Sequence, residues 1–318
     1  MTRILAVSAM LASCDAGTTS NNPTQEPSTR PQPMSGATQT EADVAHVLET
    51  IERMTKAFNR GELAGVMATY EDPATVLFEP GKPVSTTAEV RAGFEQFLLM
   101  KPEFRFSAHE VYVAGDIAVH HTPWAMQGTA PDGTAIEGRG LSVAVLRRQA
   151  DGGWLMVIDN PNGGFLLDTM GYPTEDMAQP DVQESGESAA VVATIDRMSN
   201  AFAAGDVDGI MATYASEATV LFQPGTAVNG SEGIRAAFDG AVMSKPAFRF
   251  GHHEVIVAGD IAVHTTPWTM TATGPDGATV QGRGLSVAVL KRQTDGEWLM
   301  MIDNPHGQRL VDTVGHPG

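Results

Sequence analysis

The stretch GELAGVMATYEDPATVLFEPG, residues 61–81, passes from a helical to a strand pattern and decides the fold. Gly61 follows a helical stripe of apolar residues over 44–59, where a left-handed residue ends many helices. Residues 62–70 repeat helical spacing and predict a second, short helix. The run 74–78 contains β-branched and aromatic residues and predicts a strand. The order is therefore helix, short helix, strand.

After this stretch the hydrophobic pattern changes from a helical period to a period of two. Residues 87–99 predict a third helix. Turn residues such as Pro131-Asp132-Gly133 then separate alternating segments, which is typical of hairpins. The predicted strands are 104–113, 117–128, 135–148 and 154–160. Helices followed by an antiparallel meander predict an α+β domain.

The whole pattern occurs twice. VAGDIAVH at residues 113–120 recurs at 257–264, and GRGLSVAVL at 138–146 recurs at 282–290, each with a shift of 144 residues. A repeat this long indicates duplication of a complete domain rather than a short solenoid repeat. The predicted domains are residues 41–171 and 189–318, joined by a linker over 172–188.

Composition excludes some classes of protein. The chain has 38 acidic against 20 Lys and Arg residues, a net charge of -18, which repels phosphate backbones. Nucleic acid is therefore not an expected partner. No uninterrupted apolar run reaches about 18 residues, so no transmembrane helix is predicted.

The chain contains a single cysteine, Cys14. It follows a short basic start and the apolar run 4–12, and Leu11-Ala12-Ser13-Cys14 resembles the lipobox of bacterial lipoproteins. The resemblance implies a signal peptide over 1–13 and a lipid anchor on Cys14, which places the protein extracytoplasmically in the cell envelope. Which membrane holds it stays open. The alternatives are an ordinary secretory signal or a structural cysteine.

The segment 14–40 is rich in Ser, Thr, Pro, Gln and Asn and has almost no large apolar residue. Such a segment cannot bury enough surface to offset the entropy lost on ordering. It is predicted to be a flexible tether between the anchor and the domains.

Four motifs resemble the nuclear-transport-factor-2-like superfamily, in its SnoaL-like and ketosteroid-isomerase-like branches. They are residues 61–81, VRAGF at 90–94, GDIAV at 115–119, and DG with GRGLSVAVLRR at 132–148. The resemblance implies two tandem cones, each a curved antiparallel sheet wrapped on about three helices around a cavity. It is specific for the fold and carries many activities.

The same resemblance argues against ketosteroid isomerase activity. The position of that branch's carboxylate base falls on Phe78, and on Phe222 in the second copy. The position of its phenol donor falls on Met54 and Met198. None of these side chains transfers a proton, so whether the chain is an enzyme stays open.

Candidate site residues are those that both copies share. The catalytic candidates are His120, Asp159, His264 and Asp303. The ligand-binding candidates are Tyr70, Trp124, Arg139, Asn160, Tyr214, Trp268, Arg283 and Asn304. Each has an ordinary alternative, such as a core histidine, a packing tryptophan or an Arg139–Asp159 ion pair. No metal-ligand spacing, P-loop or dinucleotide motif occurs, so no metal or cofactor is predicted.

Strand pairing decides whether the catalytic candidates meet. The Pro-Asp-Gly loop places His120 opposite Ala144. Depending on the next hairpin loop, Asp159 then lies opposite Ala144 and forms a pair with His120, or opposite Val143 on the other face. Small residues such as Gly140 beside Trp124 predict either a hollow or a seat for a helix.

Three functions are compatible with these residues. The first is binding of a small apolar or amphipathic molecule in each cone. The second is an isomerase, lyase or cyclase with His120 and Asp159 as acid and base. The third is an assembly module whose two domains pair within the chain as a pseudo-dimer.

Overall fold

The computed structural model describes residues 36–174, 186–274 and 277–317. The predicted signal peptide, Cys14 and most of the predicted tether and linker lie outside these residues. Among the described helices, none is both long and apolar enough to cross a membrane. Both repeats belong to one compact unit that begins at Gly36.

The first repeat combines helices of very different length with a long meander of strands. Its helices are α1 (Gly36–Arg60), α2 (Leu63–Met67), α3 (Thr87–Leu98) and α4 (Phe165–Met170). Its strands are β1 (Tyr70–Glu79), β2 (Lys82–Val84), β3 (Glu103–Phe106), β4 (Glu110–Ala114), β5 (Ile117–Thr129), β6 (Ala135–Arg148) and β7 (Trp154–Asn160).

The second repeat has the same order. Its helices are α5 (Gly186–Ala204), α6 (Val207–Met211), α7 (Ser231–Ala241) with a 3-10 turn at Val242–Ser244, and α8 (Arg309–Val314). Its strands are β8 (Tyr214–Gln223), β9 (Thr226–Asn229), β10 (Ala247–Phe250), β11 (Glu254–Ala258), β12 (Ile261–Thr273), β13 (Thr279–Arg292) and β14 (Trp298–Asn304).

Each repeat forms a mixed sheet. The strand order is β2-β1-β7-β6-β5-β3, with β4 also paired to β5, and the second sheet repeats it. All described pairings in the first sheet are antiparallel except that of β1 with β7, which is parallel. The α+β class and the tandem arrangement are confirmed, and α1 begins five residues before the predicted domain limit.

Two local predictions were wrong for reasons of tertiary pairing. Tyr70, predicted to end the second helix, starts β1, because the amide of Met156 bonds the carbonyl of Thr69 and draws this segment into the sheet. The predicted strand 104–113 is divided into β3 and β4. The interruption lies beside Pro123 of β5, which has no amide hydrogen to donate to the ladder.

Local sequence explains where several helices begin and end. Gly61 adopts a φ of 69° directly after α1, a conformation that costs glycine little. The side chain of Thr86 accepts a hydrogen bond from the amide of Glu89 and caps α3. Asp206 caps α6 in the same way by accepting from the amide of Gly209.

Each repeat encloses its own apolar core between helices and the concave face of its sheet. In the first repeat the core unites α1, α3 and the sheet through Ile51, Phe94, Leu146 and Met156. An equivalent core occupies the second repeat. Because α1 and α3, and their counterparts in the second repeat, cover only the concave face of each sheet, the convex face needs another partner.

The convex faces of the two sheets cover each other. A third core contains side chains from both repeats, among them Val119, Leu141 and Ile158 from the first and Leu285 and Val289 from the second. All are buried. The structure therefore pairs the two repeats within one chain, as predicted, with the contact pattern of a fused homodimer.

Polar contacts around the shared core are related by the repeat. Arg147 pairs with Asp260 at 2.7 Å, and the equivalent Lys291 pairs with Asp116 at 2.9 Å. The hydroxyl of Thr219 donates to the carbonyl of Val113 at 2.8 Å. These partly exposed ion pairs contribute little energy each, so the apolar core supplies most of the pairing energy.

The C-terminal helix of each repeat crosses to the other repeat. Helix α4 contacts β12, and α8 contacts β5. Leu167 and Val311 extend the shared core from these helices. The hydroxyl of Ser107 donates to the carbonyl of Gly315 at 2.8 Å. Each repeat thus contributes its C-terminal helix to the surface of the other repeat.

Replacing Leu285 with alanine tests the shared core. Leu285 is 0% exposed, so the substitution should lower the free energy of unfolding by about 2–5 kcal/mol in urea denaturation. Leu99, which is 55% exposed, is the matched control, and its change to alanine should stay within about 0.5 kcal/mol. Equal effects of the two substitutions would contradict a shared core at this position.

Candidate functional site

A bulge in β7 decides which residues face the inside of the first cone. Trp154 lies opposite Arg148 at the start of β7, and a regular ladder from there would place Asp159 opposite Val143. The ladder shifts between Met156 and Ile158, so Val157 is an extra residue. Asp159 consequently lies opposite Ala144 and faces the cone.

The same strand register brings His120 to the other side of Ala144. His120 pairs with Ala144 in β5–β6, and Ala144 pairs with Asp159 in β6–β7. This is the first of the two registers that the sequence allowed. The second cone repeats it: His264 and Asp303 both lie opposite Ala288, and the ladder shifts at Met301.

Asp159 has a tyrosine as its partner. The Tyr70 hydroxyl donates to Oδ2 of Asp159 at 2.6 Å, and Tyr214 donates to Asp303 at the same distance. Burial raises the pKa of Asp159, and the hydrogen bond from Tyr70 opposes this shift in part. Burial, with the adjacent carboxylate, also raises the pKa of Tyr70 well above its usual value.

His120 has a second histidine as its partner. Its Nε2 lies 2.9 Å from Nδ1 of His109, and in the second cone His264 lies 2.7 Å from His253 in the same way. His120 is 1% exposed, and its Nδ1 has no hydrogen-bond partner among the described residues. The Nδ1 of His264 is also without a partner among those residues.

Burial controls the charge of these histidines. It lowers the pKa of His120 well below the ordinary value of 6.5 and lowers that of His264 to about 3. Both rings are therefore neutral at neutral pH. A neutral imidazole has one donor and one acceptor nitrogen, so each can offer a ligand either function.

The catalytic candidates lie on one face without bonding to each other. His120 and Asp159 flank Ala144, but within the described structure His120 bonds His109 and Asp159 bonds Tyr70. The cone therefore carries a polar row, which we define as His109, His120, Asp159 and Tyr70, with His253, His264, Asp303 and Tyr214 in the second cone.

The glycines of β6 form a seat for an indole ring. A Cβ atom on Gly140 would stand 3.0 Å from the ring of Trp124 and 2.9 Å from the carbonyl of Pro161. Trp124 Nε1 donates to that carbonyl at 2.9 Å. Neither a hollow nor a helix occupies this position, because the neighbouring tryptophan fills the space that glycine leaves.

Aromatic rings surround the rest of the cone interior. The ring centroid of Phe58 lies 5.4 Å from that of Phe94 and 5.6 Å from that of Phe104, in edge-to-face geometry. The ring of Phe78 lies 5.0 Å from that of Phe94. Met54 packs against the same core. An apolar wall therefore surrounds the polar row.

Two ligand-binding candidates lie on the other face of the sheet. Asn160 is opposite Val143 and donates to Glu254 of the second repeat at 3.1 Å. Arg139 precedes Leu141 on the face that contributes to the shared core. The equivalent Arg283 stacks over Tyr172 at 4.7 Å. The structure thus separates the Asn and Arg candidates from the polar row.

The two halves of the interface between the repeats differ in polar residues. Glu110 accepts a hydrogen bond from Arg309, whereas the equivalent Glu254 bonds Asn160. His121 is 0% exposed on this face, and both its ring nitrogens lack a partner among the described residues. Its counterpart is Thr265. The change from His121 to Thr265 is visible in the sequence, and it could have indicated that this face is not the one on which the two cones are alike.

A groove lies outside the cones, where the repeats meet. Its volume is about 800 Å³, and it is lined by α1, β4 and residues of the second repeat, including Glu41, Val113, Glu217 and Asn229. Neither His120 nor Asp159 lines it. No group of three or more His, Cys, Asp or Glu within the described ranges could hold a metal ion.

The chain belongs to the SnoaL-like domain family. The family matches residues 51–155 and again residues 195–299, which together make up more than half of the chain. It therefore contains two tandem SnoaL-like domains. A comparison with curated proteins finds no match.

Three solved structures that are similar to the chain each match less than half of its length. Aln2 from a Streptomyces species has 23% identity and a TM-score of 0.36, over 41% of this chain and 96% of its own. A ketosteroid isomerase-like protein from Erwinia carotovora atroseptica has 17% identity and a TM-score of 0.34, over 38% and 95%. An NTF2-like protein with a cystatin-like fold from Novosphingobium aromaticivorans has 16% identity and a TM-score of 0.32, over 36% and 78%.

Replacing Gly140 with alanine tests the indole seat. The new methyl group must displace Trp124 or Pro161, which should cost about 1–3 kcal/mol of unfolding free energy and change the tryptophan fluorescence of the folded protein. The control is Gly240→Ala in α7, where a Cβ has no atom within 4 Å. That change should stabilise by up to about 1 kcal/mol. An unchanged fluorescence spectrum and stability in G140A would contradict the seat.

Replacing His121 with threonine tests the buried interface histidine. Burial lowers its pKa from 6.5 to about 4. Between these values the unfolded chain binds a proton that the folded chain does not, so stability falls as the pH falls, by up to about 1.4 kcal/mol per pH unit.

The His121→Thr variant copies the residue at the equivalent position, Thr265, and should flatten this acid slope by up to one proton. Urea denaturation over the same pH range measures the slope. His252→Thr, at an exposed position, should leave the slope unchanged. A slope that does not change in the His121 variant would show that folding does not lower the pKa of His121.

Proposed function

We propose that each cone binds a small, neutral, amphipathic molecule whose polar group contacts the polar row. The observation that carries this proposal is the unpartnered Nδ1 of a buried histidine, present at His120 and again at His264. A buried polar atom without a partner costs about 1–3 kcal/mol. A ligand hydroxyl or carbonyl that bonds this nitrogen would remove that cost.

The charges around the row favour a neutral ligand. The buried histidines are neutral, since burial lowers the pKa of each, so they offer no cation to an anionic group. Arg139 lies on the opposite face of the sheet. Burial also raises the pKa of Asp159, which weakens its preference for a cation. Phe94 and the other rings of the wall suit an apolar body.

The second part of the proposal concerns location. Leu11-Ala12-Ser13-Cys14 supports a lipid anchor on Cys14, with the two cones held on the extracytoplasmic side of the bacterial cell envelope. The polar, Pro-rich segment that follows Cys14 supports a tether. Mass spectrometry of the mature protein from a bacterial host tests the anchor directly, because Cys14→Ser should lose the mass of the acyl chains.

A second candidate function is acid–base catalysis of an isomerase, lyase or cyclase type. It is favoured by the placement of His120 and Asp159 on one face with pKa shifts in opposite directions. Burial causes both shifts because it disfavours the charged form of each group, and groups with shifted pKa values cluster at functional sites. Phe78 and Met54 occupy the positions of the steroid isomerase groups, so the reaction would differ from that of ketosteroid isomerase.

Native mass spectrometry tests the binding proposal. The soluble chain that begins after Cys14 should retain up to two equivalents of a small neutral molecule after mild purification. The double variant His120→Ala/His264→Ala should retain about fivefold less, because each site loses a hydrogen bond worth about 1 kcal/mol. His252→Ala, at an exposed position, should retain as much as the wild type.

Two outcomes would contradict the proposal. One is a double variant that retains the same molecules in the same amount as the wild type. The other is a wild-type protein that carries no small molecule and shows no rise in melting temperature with any of a panel of matched long-chain alcohols and ketones.

A further inference from the structure

We propose that His109 and His253 are positioning residues that connect the buried histidine of each cone to solvent and set the hydrogen-bonding polarity of its inner nitrogen. The inference rests on the proposed ligand site and assigns a separate role to the outer histidine of each polar row. It follows from the geometry of the two histidine pairs and from the difference in exposure within each pair.

Each pair consists of a buried ring and a more exposed ring in direct contact. His120 is 1% exposed and His264 is 0% exposed, whereas His109 is exposed and His253 is partly buried. The facing nitrogens are Nδ1 of the outer ring and Nε2 of the inner ring in both cones. The contact therefore leads from the surface to the inner Nδ1.

A hydrogen bond between two imidazole nitrogens needs a proton on one of them and none on the other. When the inner Nε2 carries the proton in a neutral ring, the inner Nδ1 is bare and accepts a hydrogen bond. When the outer Nδ1 carries it, the inner Nε2 is bare, and the inner Nδ1 carries a proton and donates. The outer ring thus decides what the inner nitrogen offers.

Solvent protons act on this arrangement through the outer ring. An imidazolium carries protons on both nitrogens, so a protonated His109 must donate through its Nδ1. His120 then takes the tautomer with its proton on Nδ1. Counted over the pair, one proton has been gained from solvent: Nε2 of His120 has given its proton to Nδ1 of His109, and Nδ1 of His120 has taken one up from water that reaches the cone. The inner nitrogen has thereby changed from acceptor to donor while the buried ring stays neutral.

Charged and titratable groups around the pairs are few. His121 adjoins His120 on the opposite face of β5, and Glu110 adjoins His109. Burial lowers the pKa of both His109 and His253. In the second cone, Asp196 of α5 opposes this shift in His253, and the neighbouring His252 adds to it. The equivalent position of α1 in the first cone is Glu52. The outer rings are therefore expected to protonate at somewhat different pH values in the two cones.

The duplicated chain supports a role for the contact itself. The pair is kept in both repeats at 2.9 and 2.7 Å, while position 121 has changed to Thr265 and position 108 to His252. The coupling predicts how ligand preference should change with pH. Acid should favour a ligand that accepts at the inner nitrogen, such as a ketone, and base should favour one that donates, such as an alcohol.

Nuclear magnetic resonance of ¹⁵N-histidine-labelled, ligand-free protein tests the coupling. Long-range ¹H–¹⁵N spectra report which ring nitrogen carries a proton. Between about pH 8 and about pH 5, His120 should stay neutral while its proton moves from Nε2 to Nδ1 as His109 becomes charged. His109→Gln keeps a hydrogen-bonding group but cannot titrate, so it should abolish the change in His120 and leave that in His264 intact.

The outcomes separate this inference from the binding proposal, since the spectra need no ligand. A His120 tautomer that is constant over this range, or one that still changes in the His109→Gln variant, would overturn the coupling even if a ligand is bound. His109→Phe provides a second variant with no exchangeable group. It should likewise abolish the tautomer change at His120, and His264 serves as the internal reference.

Discussion

The apolar core shared by the two sheets is the constraint on which both the fold and the site depend. Val157 and Ile158 are consecutive in β7, yet both contribute to this core. A regular strand cannot turn neighbouring side chains to the same face, so β7 contains a bulge. The bulge returns Asp159 to the cone face. Burial of two apolar side chains between the repeats thus positions an acid inside each cone.

As a result, the two faces of each sheet contact different parts of the protein. The concave face holds the polar row within an aromatic wall, and the convex face holds the partner repeat. Trp124 on its glycine seat narrows the cone near the row, with its indole nitrogen already bonded to Pro161. Among the described residues the inner Nδ1 of His120 has no hydrogen-bond partner, and the proposed ligand contact rests on this atom.

Much of this could be predicted from the sequence. The repeat, the period-two strands and the Pro-Asp-Gly loop determined the α+β class and the pairing of His120 with Ala144, because each is a local signal. The position of Asp159 was open, since one bulged residue moves it to the other face and nothing around Val157 marks a bulge. The sequence also could not place Asn160 and Arg139, because their face is covered by a part of the chain far away in sequence.

The fusion of two repeats has a consequence for how the interface can change. In a dimer of identical chains every substitution occurs on both sides of the twofold axis. In this chain a substitution changes one repeat only. Glu110 therefore bonds an arginine, whereas the equivalent Glu254 bonds an asparagine. Duplication within one chain has in this way released the contact from symmetry, and the two cones can diverge in sequence without the loss of their mutual support.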